Sequence, residues 1–282
     1  VHNENSLYLC SIKNTPSLNR IFPVIVIYKV QLCEATAYKE FLRHVPAEAF
    51  MVYDNSPESF AQDMERMPAT AIYVRDTSNG GLSVAYNRAA RYAQEHGYNR
   101  VLLLDEDTRF PVEMFSLMQN CASAVCVPRV VLGTGVPFSP CRWHRGVIRG
   151  VRLQPGTYRL ADFLLINSGL CVAVDSFWKA GGYNEQVRLD FADYQFVCRL
   201  RRVEQFFTVL GCEATQHFSN DIADPDRLYA RFLHFLDGAR HVEGGGLLVK
   251  AKISWLVLLH TLALAHRTRQ GRFLWVWLRD LC

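Results

Sequence analysis

The sequence has neither a run of about 18 uninterrupted apolar residues nor a strong excess of one charge, and each absence excludes a class of protein. Without such a run, no standard membrane-spanning helix is expected. The 282 residues are half hydrophobic and 21% charged, with a net charge of +4, so general disorder is not expected either. The length is typical of one large α/β domain with an appendage, or of two modest domains.

Nine cysteines are present, but they form neither a CxxC pair nor a Cys/His pattern of a zinc site. Most have hydrophobic neighbours, as small core residues of a reducing compartment do. The first residues also lack a charged stretch followed by an apolar one, so no secretory signal is expected. We therefore expect a cytoplasmic protein without disulfides.

Short β-branched runs alternate with helical segments in the first third of the chain. The predicted strands cover residues 23–28, 49–53, 70–75 and 100–104, and the predicted helices cover 36–43 and 82–95. This alternation predicts a parallel sheet with helices on both faces. Sites in such sheets lie at the carboxyl ends of the strands. Asp54, Asn55, Asn79 and Asp105 follow strands, so we expect them to share a crevice.

The basic excess lies in the last fifth of the chain. Residues 226–282 hold nine Lys or Arg and four Asp or Glu, whereas the first 225 residues hold 22 and 23. We divide the chain into a polar lead-in at 1–20, a catalytic body at 21–225, and a helical, basic C-terminal region at 226–282.

A predicted buried strand ends in Leu104 and is followed by Asp105, Glu106 and Asp107. Two aspartates separated by one residue offer hard oxygen ligands, and Mg²⁺ prefers one or two carboxylates together with phosphate oxygens. A metal neutralises a departing nucleoside diphosphate without proton transfer. The alternative is a solvated acidic turn.

Asn79, Gly80 and Gly81 open the predicted helix that contains Asn87. Glycine lets the backbone approach a ligand closely, and a helix N-terminus favours anions. We expect an anion-binding turn here, with an ordinary capped loop as the alternative.

Asp193 lies at the start of a helix predicted near residues 190–199. A carboxylate beside a metal-bound diphosphate can accept a proton from an attacking hydroxyl. An N-capping aspartate is also natural at a helix start, and the local residues alone favour it. His217 follows a predicted strand and is a candidate metal ligand, although a lone histidine is usually structural.

These motifs, in this order, resemble the inverting family-2 glycosyltransferases of the GT-A fold, and among them the rhamnosyltransferase-like branch. The resemblance covers about Val24 to Phe218, and the ordered series is what makes it specific. It implies an α/β fold with a Rossmann-like, mostly parallel sheet flanked by helices. In that family the nucleotide sugar lies over the strand ends.

The resemblance implies a role for each motif. Asp105 and Asp107 match the DxD metal motif and His217 a further ligand, which implies Mg²⁺ or Mn²⁺. Asp193, six positions before Arg199, matches the catalytic base. Contacts with the nucleotide sugar are implied for Tyr28, Asp54, Asn55, Ser56, Asn79, Gly80, Asn87, Asp105, Asn167, Ser168 and Gly169.

The sequence departs from the family at three places. Most members have an acidic residue directly before the base, where this chain has Ala192, and its nearest acid is Asp190. The rhamnosyltransferase-like branch usually has Glu two residues after the base, where this chain has Gln195. The Gln-x-x-Arg-Trp motif of processive synthases is missing after Arg199, which argues against processive polymer synthesis.

The implied reaction is a single in-line displacement that inverts the anomeric configuration. The resemblance points to a dTDP- or UDP-sugar donor, with rhamnose as the first candidate, and to a glycan or lipid-linked acceptor.

The C-terminal region contains thirteen mostly apolar residues at 253–265 with basic residues on both sides. At 1.5 Å per residue, this stretch is too short to span a hydrocarbon layer of about 30 Å. Basic flanks and the tryptophans Trp275 and Trp277 instead favour a helix in the membrane interface, on the cytoplasmic face. The alternative is that this helix packs against the catalytic body or against a second subunit, and in the second case the protein would be an oligomer.

Three other functions involve similar sequence features. A non-catalytic nucleotide-sugar-binding or scaffold subunit remains open because of the departures around Asp193. A nucleotidyltransferase normally carries a Gly-rich basic loop after its first strand, where this chain has Tyr28-Lys29-Val30-Gln31-Leu32. Nucleic-acid binding is not expected, since the basic residues alternate with long aliphatic runs.

Overall fold

A computed structural model of the protein describes residues 18–144, 146–216, 224–243 and 246–281. Within these residues, ten strands form a central mixed sheet and two form a separate hairpin. The strands are β1 (Ile21–Ile27), β2 (Phe50–Asp54), β3 (Ala71–Arg75), β4 (Arg100–Asp105), β5 (Thr108–Arg109), β6 (Val125–Leu132), β7 (Pro137–Ser139), β8 (Cys141–His144), β9 (Val147–Gly150), β10 (Gly156–Arg159), β11 (Cys171–Ala173) and β12 (Phe206–Gln216).

Helices cover both faces of the sheet and continue to the C-terminus. The α-helices are α1 (Thr36–Glu40), α2 (Leu82–Glu95), α3 (Glu113–Gln119), α4 (Val174–Lys179), α5 (Ala192–Leu200), α6 (Pro225–Arg240), α7 (Gly246–Thr268) and α8 (Arg272–Leu281). Short 3₁₀ helices occupy Leu32–Glu34, Leu42–His44, Met64–Arg66 and Leu160–Asp162.

The first half of the sheet is parallel, as the sequence predicts. The strand order is β3-β2-β1-β4, and each neighbouring pair is parallel. Every residue of β1 is buried, because this strand has neighbours on both edges and helices on both faces. The carboxyl ends of β1, β2 and β4 therefore meet at one edge of the sheet.

The second half of the sheet contains both parallel and antiparallel pairs. β11 runs antiparallel to both β4 and β6, whereas β12 is parallel to β6. A parallel neighbour needs a crossover connection, while an antiparallel one does not. The segment before β11 doubles back at the Asn167-Ser168-Gly169 turn, where Gly169 has a φ of +81°.

Helix α2 has the bounds that the sequence predicts. Its buried face, which includes Ala85, Ala89 and Ala93, packs against β1. Gly81 precedes the helix with a φ of +89°, and Gly97 follows it with a φ of +70°. Glycine adopts this left-handed region without the steric cost that a side chain brings.

The C-terminal helices share one hydrophobic core with the rest of the protein. Phe232 and Leu236 of α6, Val257 of α7 and Phe273 of α8 belong to the same buried cluster as Phe196 of α5. The basic region predicted at 226–282 is thus helical and packs against the body.

Helix α7 corrects the expectation that no segment is long enough to span a membrane. It has 23 residues and a mean hydropathy of 1.6 over its most apolar 18, and 22% of that window is buried. That expectation rested on only the thirteen mostly apolar residues at 253–265. The helix extends beyond them at both ends, through segments that contain polar residues. By length and composition, this helix is sufficient to cross a membrane.

Candidate active site

The carboxyl ends of β1, β2 and β4 border a crevice of about 420 Å³. The start of α2 and one side of α6 close its other sides. Of the residues predicted to bind the nucleotide sugar or a metal, five line this crevice: Tyr28, Asn55, Asn79, Asp105 and Asp107. Of the four residues predicted to share a crevice, Asn55, Asn79 and Asp105 line it, whereas Asp54 is buried and does not.

The turn after β2 presents Asn55 to the crevice and uses its neighbours for support. Buried Asp54 accepts hydrogen bonds from the Ser56 backbone N–H (2.9 Å) and the Tyr73 hydroxyl (2.8 Å). Buried Ser56 accepts one from the Lys29 backbone N–H (2.7 Å). The Oδ1 atom of Asn55 is buried without a hydrogen-bond partner among the described residues. Asp54 and Ser56 shape the turn, and Asn55 is the residue with free hydrogen-bonding capacity.

Tyr28 follows β1, and its side chain is 45% exposed. Its backbone N–H donates a hydrogen bond to Oε2 of Glu106 at 2.8 Å, which joins the end of β1 to the acidic end of β4. Burial raises the pKa of Glu106 to about 7. This glutamate lines the crevice but was not predicted as a site residue.

Asp105 ends β4 and is held by hydroxyl groups. The Tyr86 hydroxyl donates a hydrogen bond to its Oδ1 at 3.2 Å. Burial, together with the charge of nearby Asp107, raises the pKa of Asp105 to about 7, although the hydrogen bonds from Tyr86 and Ser168 oppose the shift. Two carboxylates are thus held together where ionising both is unfavourable.

The chemistry of this pair fits a divalent cation, because a cation would relieve the repulsion between Asp105 and Asp107. No group of three or more His, Cys, Asp or Glu in the described part of the chain is arranged to hold a metal by itself. Two carboxylates completed by phosphate oxygens are nonetheless a usual Mg²⁺ site. His217, the third predicted ligand, lies outside the described residues.

The Asn79-Gly80-Gly81 turn brings the start of α2 against the segment before α5. The Asp76 carboxylate accepts a hydrogen bond from the Gly80 N–H at 2.9 Å, and Asn79 has a φ of +52°. A Cβ on Gly81 would lie 2.3 Å from the carbonyl oxygen of Arg188. Only glycine permits so close an approach.

Asn87, for which the resemblance implies a contact with the nucleotide sugar, does not line the crevice. It lies beside a separate depression between the sheet and α2, away from the residues that line the crevice. Its Oδ1 accepts a hydrogen bond from the Tyr183 backbone N–H (2.9 Å), and its Nδ2 donates to the Tyr183 carbonyl (3.0 Å). Asn87 therefore fixes the loop of Gly181, Gly182 and Tyr183.

The Asn167-Ser168-Gly169 turn supports the acidic strand end. Ser168 and Thr108 share a hydroxyl hydrogen bond of 2.7 Å, and Asn167 accepts one of 2.6 Å from the Tyr183 hydroxyl. Both Asn167 and Ser168 are buried. The structure places this turn behind the carboxylates instead of among the residues that line the crevice.

Asp193 lies in the first turn of α5, as predicted, and is half-buried. Burial raises the pKa of its carboxyl group to about 6, and the charge of Asp190 adds to this shift. The Tyr194 backbone N–H donates a hydrogen bond to its Oδ1 at 2.6 Å. Asp193 is close enough to Asp105 for its charge to raise the pKa of that group. It is not among the described residues that line the crevice.

The sequence interpretation missed part of the crevice wall. Gln216, at the end of β12, lines the crevice with its Oε1 buried and unbonded, and Arg188 lines it from the segment before α5. His234 and Asp237 contribute from α6, which was assigned to the C-terminal region. Gln216 could have been predicted as a site residue, because it ends a strand and directly precedes the candidate ligand His217. His234 and Asp237 could not be predicted in the same way, because helical periodicity does not show which part of the protein the polar face of a helix contacts.

Comparisons with protein-family models and with curated proteins find no match. Among solved structures, the crystal structure of GalNAc-T7 with UDP, GalNAc and Mn²⁺ has a TM-score of 0.55 and 11% identity over 84% of this chain. S. aureus TarS in complex with UDP-GlcNAc has a TM-score of 0.51 and 14% identity over 89% of this chain.

The chain has the fold of the GT-A glycosyltransferases. This confirms the fold class that the ordered motifs predict. The matched region is 54% of the GalNAc-T7 chain and 74% of the TarS chain, so this chain spans about half of the first protein. Identities of 11% and 14% define a fold and leave the activity to be argued from the site.

Proposed function

We propose that the protein is an inverting, non-processive glycosyltransferase of the family-2 type, in the rhamnosyltransferase-like branch. It would transfer a sugar from a nucleotide diphosphate to a glycan or lipid-linked acceptor. The observation that carries the proposal is the meeting of Asp105, Asp107 and Asn55 at one crevice, with the carboxylate of Asp193 nearby.

The donor would lie across the strand ends. Asn55 and Gln216 line this region, and each has a buried side-chain oxygen without a hydrogen-bond partner among the described residues. A base N–H or a ribose hydroxyl that reached these oxygens would satisfy them. The exposed ring of Tyr28 offers a stacking surface. Two neighbours with this fold were crystallised with UDP or UDP-GlcNAc, which supports a uridine diphosphate sugar ahead of a dTDP-sugar.

Asp105 and Asp107 would hold Mg²⁺ or Mn²⁺, and the resemblance adds His217. The Mn²⁺ in the GalNAc-T7 crystal structure supports a divalent ion. When bound, such an ion neutralises the charge that develops on the departing diphosphate.

Asp193 would act as the general base. The acceptor oxygen forms a bond to the anomeric carbon while the bond from that carbon to the diphosphate oxygen breaks, and the hydroxyl proton passes to the Asp193 carboxylate. A raised pKa of about 6 makes this carboxylate a stronger base than an exposed aspartate, yet leaves it ionised at neutral pH.

The second candidate is a non-catalytic nucleotide-sugar-binding or scaffold subunit. It is favoured by the position of Asp193, which is not among the described residues that line the crevice. It predicts nucleotide binding at Asn55 and Asp107 without turnover.

We further propose that the C-terminal helices bind the cytoplasmic face of a membrane. Trp255 of α7 is 48% exposed, and Trp275 and Leu278 of α8 are 61% and 55% exposed. Arg279 lies over the ring of Trp275, so apolar and basic groups occur together. This combination is typical of interfacial helices, and each basic residue near an anionic surface contributes about 1 kcal/mol.

A donor panel tests the proposed activity. The full chain is incubated with UDP-GlcNAc, UDP-GalNAc, UDP-glucose and dTDP-rhamnose, with Mn²⁺ or with EDTA, and release of nucleoside diphosphate is measured. We expect slow metal-dependent release from one donor, faster with an acceptor, and its loss in Asp107→Ala. Nucleotide-induced thermal stabilisation without turnover on any donor would favour the scaffold. If the chain neither binds nor turns over any of these donors, both candidates are contradicted.

A further inference from the structure

The segment at residues 187–191, which leads into α5, is held on one side by α2. The Leu82 backbone N–H donates a hydrogen bond to the Arg188 carbonyl at 2.7 Å. The Ser83 hydroxyl donates one to the Val187 carbonyl at 2.5 Å. The first turn of α2 therefore fixes the beginning of this segment.

Helix α6 holds the same segment from the other side. The guanidinium group of Arg231 pairs with both oxygens of Asp190, and its Nη2 lies 2.8 Å from Oδ1. A Cβ on Gly238 would lie 2.6 Å from the Asp190 carbonyl oxygen, so α6 contacts the backbone directly. The rings of Phe191 and Phe235 pack with centroids 4.8 Å apart.

The backbone at this point has an unfavourable conformation. Phe191 has a φ of +67°, in the left-handed region that bulky side chains rarely adopt. Such a conformation persists only where the surroundings over-determine it. Phe191 immediately precedes α5, so its backbone conformation sets the direction of the first turn of α5, which carries Asp193.

We propose that Arg231 is a positioning residue for the reaction, which acts by pairing with Asp190 and so fixing Asp193 relative to the crevice. Helix α6 is then part of the active site and also lines the crevice through His234 and Asp237. The inference rests on the proposed function, in which Asp193 takes the proton. It also gives a role to Asp190, the acidic residue nearest to Asp193 in the sequence, which connects the segment to α6 through Arg231.

The test compares two variants at Arg231 with a control on the same helix, all in the full chain. Arg231→Met removes the charge, and Arg231→Lys keeps it without the two-point geometry. The control is Arg227→Met, one turn earlier, because Arg227 is 81% exposed and lies 3.7 Å from Asp224. Should Arg231→Met fail to fold, Asp190→Asn breaks the same pair with a change of similar shape.

Two readouts separate positioning from general support. We expect kcat to fall roughly 10- to 100-fold in Arg231→Met while the donor KM stays within about twofold, with partial rescue in Arg231→Lys. We also expect faster hydrogen exchange of the backbone at 188–195 in Arg231→Met, measured without substrate. Arg227→Met should match the wild type in both.

Each contrary outcome has one meaning. Unchanged exchange, unchanged kcat, or an equal loss of kcat and donor affinity would overturn the role of Arg231. A wild-type chain that shows no transfer, with faster exchange in Arg231→Met, would contradict the proposed function while the structural contact itself stands.

Discussion

Replacing Gly81 with alanine should loosen the contact between the Asn79-Gly80-Gly81 turn and Arg188. The new Cβ would lie 2.3 Å from the Arg188 carbonyl oxygen and 2.7 Å from the Arg188 Cβ, and the backbone has a φ of +89°. Together with a ψ of −174°, this φ lies in a backbone region essentially confined to glycine, and holding an alanine there costs about 1–3 kcal/mol. Overlap with a packed neighbour adds about 1–3 kcal/mol, since the nearest atom belongs to the backbone and cannot rotate away.

Gly135 provides a control that also has a positive φ but no packed neighbour. Gly135 has a φ of +78°, and a Cβ there would meet no atom within 4 Å. Gly135→Ala should therefore lose only about 1–2 kcal/mol. Chemical denaturation of both variants gives the difference, which we attribute to the contact with Arg188 together with the glycine-only backbone region of Gly81.

The contact also connects stability to activity. Displacing Arg188 moves the segment that leads to Asp193, so Gly81→Ala should lower turnover, whereas Gly135→Ala should not. Equal free energies of unfolding in the two variants, or wild-type turnover in Gly81→Ala, would refute this reasoning.

Three further predictions follow from the same contacts. Turnover should fall about tenfold per pH unit below the Asp193 pKa of about 6, because the protonated carboxyl cannot accept a proton; a flat rate from pH 5 to 8 would count against it. The folded-state pKa of Asp105 is raised to about 7, so the protein binds this proton more tightly than the unfolded chain does, and stability should decline as pH rises from about 4 to about 7. Asp105→Asn should accordingly raise the melting temperature at pH 8 more than at pH 4, and the reverse order would contradict the burial argument. Replacing both Trp275 and Leu278 with serine should reduce flotation of the full chain with vesicles rich in phosphatidylserine. Met64→Ser, at an exposed apolar residue outside the C-terminal helices, should not reduce it.

The parallel half of the fold was predictable because its signals are local. The bounds of α2 follow from an apolar periodicity that begins after Gly81 and stops near Gly97. Asp105 ends a strand that is buried along almost its whole length, and Asp107 follows it, so the position of the acidic pair at the sheet edge could be predicted from the sequence. Antiparallel β11, only three residues long, offered no comparable signal.

The rest of the site depends on contacts between residues far apart in the chain. Asn87 was predicted beside the nucleotide, but its amide reaches Tyr183 across 96 positions. The pair of Asp190 and Arg231 spans 41 positions, and no local pattern connects a C-terminal basic helix with an aspartate before α5. A polar residue in a motif can either meet the ligand or hold the loop that does, and only the folded arrangement distinguishes the two.

The central claim is that Asp193 takes the acceptor proton, and Asp193→Asn tests it most directly. The substitution keeps the shape and removes the base, so turnover on the donor selected by the panel should fall by about 10²–10⁴-fold. UDP affinity, measured by calorimetry with Mn²⁺, should stay within about twofold, because Asp193 acts on the acceptor. Turnover within a few fold of the wild type would contradict the account.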